Sequence, residues 1–99
     1  MEFMEQNYMN SEYGVTELSE QMGVNRTLLS KKLNEETGMS PGQFIRHYRL
    51  DMARKLLERN TANRNIAEIA FSVGFNDPKY FTRCFTKEFG VSPSAFGKN

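Results

Sequence analysis

Apolar residues recur along this chain at spacings of three and four, and no stretch alternates β-branched with polar residues, so the pattern predicts an all-α fold. FMEQNYMNSEYG (3–14) reads as a first helix with Phe3, Met4, Tyr8 and Met9 on one side, closed by Gly14. VTELSEQMGV (15–24) reads as a short second helix, capped by Thr16 and stopped by Gly23, with Leu18 and Met22 on its inner face. Asn25 then caps RTLLSKKLNEETG, where Leu29 and Leu33 point one way while Thr27, Ser30, Lys31 and Asn34 point the other. Gly38 is placed to end that helix in the left-handed conformation. Ser40, Pro41 and Gln43 supply a capping serine, a proline for the first helical position and a capping-box glutamine. Phe44, Ile45, Tyr48, Met52, Leu56 and Leu57 continue at helical spacing, which predicts one long helix over 41–58. RNTANRN (59–65) is polar and turn-rich and reads as the linker.

The pattern then starts again. Residues 15–25 match 66–76 at an offset of 51, and residues 28–44 match 80–96 at an offset of 52, a one-residue insertion at the turn. Gly23 pairs with Gly74, Asn25 with Asn76, Lys31 with Arg83, and GMSPGQF (38–44) with GVSPSAF (90–96). Asp77 is expected to cap the second long helix of this copy, with Pro78 in its first turn. Each copy is a short helix, a glycine-containing turn and a helix with one apolar and one polar-basic face, the pattern of a helix-turn-helix. The expected organisation is therefore about seven helices: a first helix-turn-helix over 15–38, a linking helix over 41–58 and a second helix-turn-helix over 66–90. The repeated Gly-x-Ser-Pro-x-x-Phe is punctuation, in which glycine ends one helix, serine and proline start the next, and phenylalanine packs back on the unit's core. A linking helix of 18 residues spans roughly 27 Å, the order of the ~34 Å between successive major grooves on one face of B-DNA.

Charge sharpens this picture. The net charge is only +1, but residues 1–20 hold five Glu and no Lys or Arg, leaving 13 basic against 12 − 5 = 7 acidic residues in 21–99. The later part of the chain carries +6, which points to an anionic partner. At 99 residues and 38% hydrophobic content the chain suits one small packed unit without a large buried cleft. The lone Cys84 forms no internal disulfide and no multi-cysteine metal site. No apolar run approaches the ~18–20 residues needed to span a bilayer. No secretory signal opens the chain, so a soluble cytoplasmic protein without membrane contact is expected.

IAEIAFSVGFNDPKYFTRCFTKEFGVSPSAF closely resembles the signature of AraC/XylS-type bacterial transcription regulators, and residues 15–96 follow that family's two-unit DNA-binding domain. The resemblance implies seven helices whose third and sixth enter adjacent major grooves of double-stranded DNA, with no cofactor and no metal. Carried over by position, the candidates for base contact are Arg26, Thr27, Ser30 and Lys31 in the first unit, and Pro78, Lys79, Thr82 and Arg83 in the second. Asn25, Arg46, Arg49, Asn76 and Lys87 are the candidates for phosphate contact. Pro78 stands where a polar reader would be useful, and Gly97 replaces the family's aromatic-plus-arginine ending. FIRHYRLDMARKLL looks most like output domains of hybrid two-component regulators, so the chain is expected to be the C-terminal part of such a protein, with Met1 as an added or internal start and sensor or receiver domains missing.

Other residue classes carry less. Phe71, Phe75, Phe81, Phe85, Phe89 and Phe96 are expected in the core rather than against bases. His47 lacks partner ligands and is expected at the surface or beside phosphate, and Glu35 and Glu36 are expected to be solvated. The competing function is a helical protein-interaction module docking on RNA polymerase or another regulator, which the acidic first helix could serve. An enzyme reading, as a cysteine-dependent alkyl transferase, fails because no base is positioned near Cys84.

Overall fold

The computed structural model describes residues 2–59 and 65–97, and every regular element among them is helical. The order is α1 (Glu2–Asn7), α2 (Val15–Met22), α3 (Arg26–Thr37), α4 (Pro41–Glu58), α5 (Ile66–Ser72), α6 (Pro78–Phe89) and α7 (Pro93–Gly97). Residues 60–64, most of the expected linker, lie outside the described residues. Arg59 closes α4, and Asn65 opens α5 by accepting a hydrogen bond from the Glu68 amide at 2.8 Å.

The first helix is shorter than its apolar spacing predicts. Asn10 reverses the chain: its amide donates to the Asn7 carbonyl, its carbonyl accepts from the Tyr13 amide, and its Oδ1 accepts from the Glu12 amide, each at 3.0 Å. An asparagine side chain competing for backbone donors in this way favours a turn over another helical step. Met9 consequently faces solvent, 56% exposed, while Tyr8 and Tyr13 turn inward. Gly14 does not end α1 but opens α2, its amide donating to Glu17 Oε1 at 2.8 Å. Thr16, the expected cap, lies inside the first turn, where its carbonyl accepts from the buried Ser19 hydroxyl.

The duplicated phrase works as punctuation. Gly38 and Gly90 end α3 and α6 in the left-handed region at φ 75° and 79°. Ser40 Oγ accepts from the Gln43 amide while Gln43 Oε1 accepts from the Ser40 amide, a complete capping box, and Ser92 Oγ accepts from the Ala95 amide. Pro41 and Pro93 are buried at the starts of α4 and α7.

Two hydrophobic cores share one helix. Tyr13, Leu18, Leu29, Leu33 and Ile45 form the first, with Phe44 packed against it. Leu50, Ala53, Leu57, Ile69, Ala70, Val73, Phe75, Phe81 and Phe85 form the second, backed by Phe89 and Phe96. α4 thus serves the first core at its N-terminal end and the second along the rest of its length. Phe71 departs from the expected core position and is 53% exposed. The inward face of α5 is set by Ile69, Ala70 and Val73, and a residue two steps from both Ile69 and Val73 lies about 200° from each around the helix.

The glycines of the two turns are equivalent in sequence but not in surroundings. Both take positive φ, 70° at Gly23 and 97° at Gly74, yet a Cβ at Gly23 would meet open space while one at Gly74 would lie 2.1 Å from the Tyr8 carbonyl oxygen. Gly23→Ala should therefore cost about 1 kcal/mol, the left-handed penalty alone, and Gly74→Ala at least about 2 kcal/mol more. Urea unfolding of the two variants measures the difference.

Candidate nucleic-acid interface

The faces of α3 and α6 follow from their buried pairs. Leu29 and Leu33 in α3, and Phe81 and Phe85 in α6, occupy equivalent positions four residues apart and point inward. The opposite faces are left to polar side chains: Arg26, Thr27 and Lys31 are exposed and Ser30 half-buried on α3, while Lys79 and Arg83 are exposed and Thr82 half-buried on α6. Pro78, at the first position of α6, is half-buried. α3 is capped by Asn25, whose Oδ1 accepts from the Leu28 amide at 2.8 Å. α6 is capped by Asp77, whose Oδ1 accepts from the Lys79 amide at 3.0 Å. The inserted residue falls here, so Asn76 is aligned with Asn25 in sequence but not in role. It lines a cavity of about 270 Å³ together with Ser11, Arg49, Gly74 and Tyr80.

Arg26, Thr27, Ser30, Lys31, Arg46, Arg49, Asn76, Arg83 and Lys87 line three adjoining depressions, whereas Asn25, Pro78, Lys79 and Thr82 line none of the three. An open depression of about 880 Å³ runs along α3, lined by Arg26, Thr27, Ser30, Lys31 and Asn34, and bounded by Pro41 and Gly42 at the start of α4. A second, of about 810 Å³, lies between the end of α3 and α6 and collects Arg46, His47, Arg83, Cys84, Lys87 and Glu88. The small cavity joins them, because Gly42 also lines the first depression, and Arg46 and Tyr80 also line the second. Five cationic side chains, Arg26, Lys31, Arg46, Arg83 and Lys87, face two carboxylates, Glu35 and Glu88, across the two depressions. Among the described residues none of the five forms an ion pair. By contrast Arg54 and Lys55 are held by Asp51, and Arg54 also by Glu58. Burial works to raise the Asp51 pKa, but the hydrogen bond and charge of Arg54 prevail and hold it below the usual carboxylate range.

Arg49 is placed differently from the phosphate-contact expectation. Its Nε donates to the Tyr8 carbonyl at 3.0 Å, and its Nη2 donates to the carbonyls of Asn10 at 2.9 Å and Tyr13 at 2.7 Å. Three of its five N–H donors are spent on the N-terminal segment, and burial lowers the pKa of the guanidinium. The sequence pattern also missed two features of the surface. The Arg83 guanidinium sits 5.8 Å from the centre of the Tyr80 ring, within cation–π range, an arrangement signalled only by their spacing of three on one helix. His47 Nδ1 lies 3.4 Å from Glu88 Oε1, tying α4 to α6 across 41 residues of sequence that no local pattern connects.

Comparison with known proteins gives concordant results. Residues 18–99 match a family model described as a helix-turn-helix domain. The chain is 41% identical over 93 residues to histidine kinase P4 of Formosa agariphila, covering 94% of this chain and 7% of that protein. It is 32% identical over 91 residues to the transcriptional activator RhrA of Rhizobium meliloti, covering 92% of this chain and 29% of the activator. The chain therefore spans less than a third of either relative. Among solved structures, the C-terminal domain of the two-component response regulator yesN from Fusobacterium nucleatum superposes with a TM-score of 0.86 at 27% identity, over 97% of this chain and 91% of that one.

The capping asymmetry can be checked directly. Asn25→Ala and Asp77→Ala should each lower the unfolding free energy by about 1 kcal/mol, and Asn76→Ala should change it by less than about 0.5 kcal/mol. Chemical denaturation of the three variants reads this out.

Proposed function

Because the chain belongs to the AraC-type helix-turn-helix family, whose domain binds DNA in transcription regulation, we propose that α3 and α6 read base edges in two successive major grooves of a double-stranded DNA site. Arg26, Thr27, Ser30 and Lys31 serve the first groove; Lys79, Thr82 and Arg83 serve the second. Lys31 and Arg83 are the principal readers, since a cationic side chain can address guanine O6 and N7. The observation that carries this reading is the duplication itself: two exposed cations at equivalent positions of two capped helices, each opposite a buried apolar pair. Asn25, Arg46 and Lys87 are assigned to phosphates, where contacts set register without reading sequence. Asn76, at the rim of the small cavity, is the weakest member of that set, and Arg49 is withdrawn from it. Tyr80 supports the Arg83 guanidinium from below.

Catalysis is not assigned to the domain. By likeness to the response-regulator domain, the chain is read as the output part of a longer two-component regulator.

Lys31→Ala and Arg83→Ala should each weaken binding to a cognate duplex by about 1–3 kcal/mol, as expected for a good bidentate base contact. Unchanged affinity in both would refute the assigned reading faces. Each neutralised phosphate should add about 0.9 to the slope of log K against log salt. Titrations of the unsubstituted chain at several salt concentrations should therefore show a steep fall, and a flat response would exclude phosphate contact.

A further inference from the structure

The segment ahead of the repeat belongs to neither helix-turn-helix unit, yet it touches both. At one end Tyr13 is buried in the first core, its hydroxyl donating to Gln21 Oε1 on α2 at 2.7 Å. At the other end Tyr8 packs against both cores, with its ring 5.6 Å from that of Tyr48 on α4. Between them Arg49 reaches from α4 to three carbonyls of the segment, those of Tyr8, Asn10 and Tyr13.

The turn of the second unit closes on the same point. Gly74 is so near that a Cβ there would lie 2.1 Å from the Tyr8 carbonyl oxygen and 2.7 Å from Arg49 Nε. Phe75 follows at once, 5.2 Å from Phe81 and 6.0 Å from Tyr80 on α6, so the position of this turn is transmitted to the helix carrying Arg83. A close backbone contact cannot slide as a side-chain contact can, because no rotamer change relieves it.

We infer that residues 8–14 form a strap, locked by Arg49, that sets the placement of α6 relative to α3. The strap is a second connection between the units, running beside α4 and fastened to it, and Arg49 is a positioning residue for the second reading helix. This rests on the assignment of α6 as a reader of DNA. A lysine keeps the charge at position 49 but places its donors on one nitrogen, and cannot span three carbonyls as the planar fork does.

The test uses the whole chain, two duplexes and several salt concentrations. One duplex carries both base blocks selected from a random pool, and in the other the block read by α6 is scrambled. Arg49→Lys should lose about tenfold or more on the two-block duplex, since a reading constellation must be held to within ~0.5 Å. It should stay within about twofold of the unsubstituted chain on the scrambled duplex, with the salt slope unchanged. A phosphate-contact role predicts instead that Arg49→Ala weakens both duplexes alike and lowers the slope by about 0.9; that result overturns the inference, as does an equal loss on both duplexes for Arg49→Lys. If Arg49→Lys is unfolded at the assay temperature, Tyr13→Phe, which removes only the hydroxyl anchor, should show the same selectivity with a loss of about two- to fourfold. No loss on the two-block duplex in that variant overturns the strap. An unsubstituted chain that binds both duplexes equally would instead refute the reading of α6, and the strap's role with it.

Discussion

One helix shared between two hydrophobic cores is the constraint on which the rest of this domain depends. α4 gives Ile45 to the first core and Leu50, Ala53 and Leu57 to the second, so neither unit can reposition without disturbing the helix that completes the other. Small helix pairs cannot bury enough apolar surface alone. Sharing a helix solves that problem and fixes the distance between α3 and α6. The same economy places α7 behind the second unit, where Phe96 lies against Phe85 with ring centres 5.7 Å apart.

The basic surface follows from this packing. Once Leu29 and Leu33, and Phe81 and Phe85, are committed inward, helical geometry leaves Lys31 and Arg83 outward at matching positions. The remaining cations of α4 divide by their neighbours. Arg54 and Lys55 are paired with carboxylates, Arg49 is absorbed by backbone carbonyls, and Arg46 remains in the depression beside α6. Net charge is thus a poor guide to this surface, since Asp51 and Glu58, paired with Arg54 and Lys55 on α4, count in the total without lining either depression.

Much of this was legible in the residue order because the governing interactions are local. Caps, the glycine stops, the proline starts and the spacing of Leu29 and Leu33 or Phe81 and Phe85 all act within one helical turn. What escaped depends on contacts distant in sequence or on single-residue register. The early end of α1 comes from the side chain of Asn10, and the exposure of Phe71 from the rotation of α5 against its neighbours. Arg49 sits among the cations of α4, and its residue type alone favours phosphate. Only the fold brings the carbonyls of Tyr8, Asn10 and Tyr13 to it, from 36 to 41 residues away.

The central claim is that two reading helices, held by one shared helix, address successive turns of the same duplex. Selection of bound sequences from a random duplex pool by the unsubstituted chain tests this most directly. Two enriched blocks centred about 10–10.5 base pairs apart are the predicted result. A single block, with no preference one helical turn away, would contradict it.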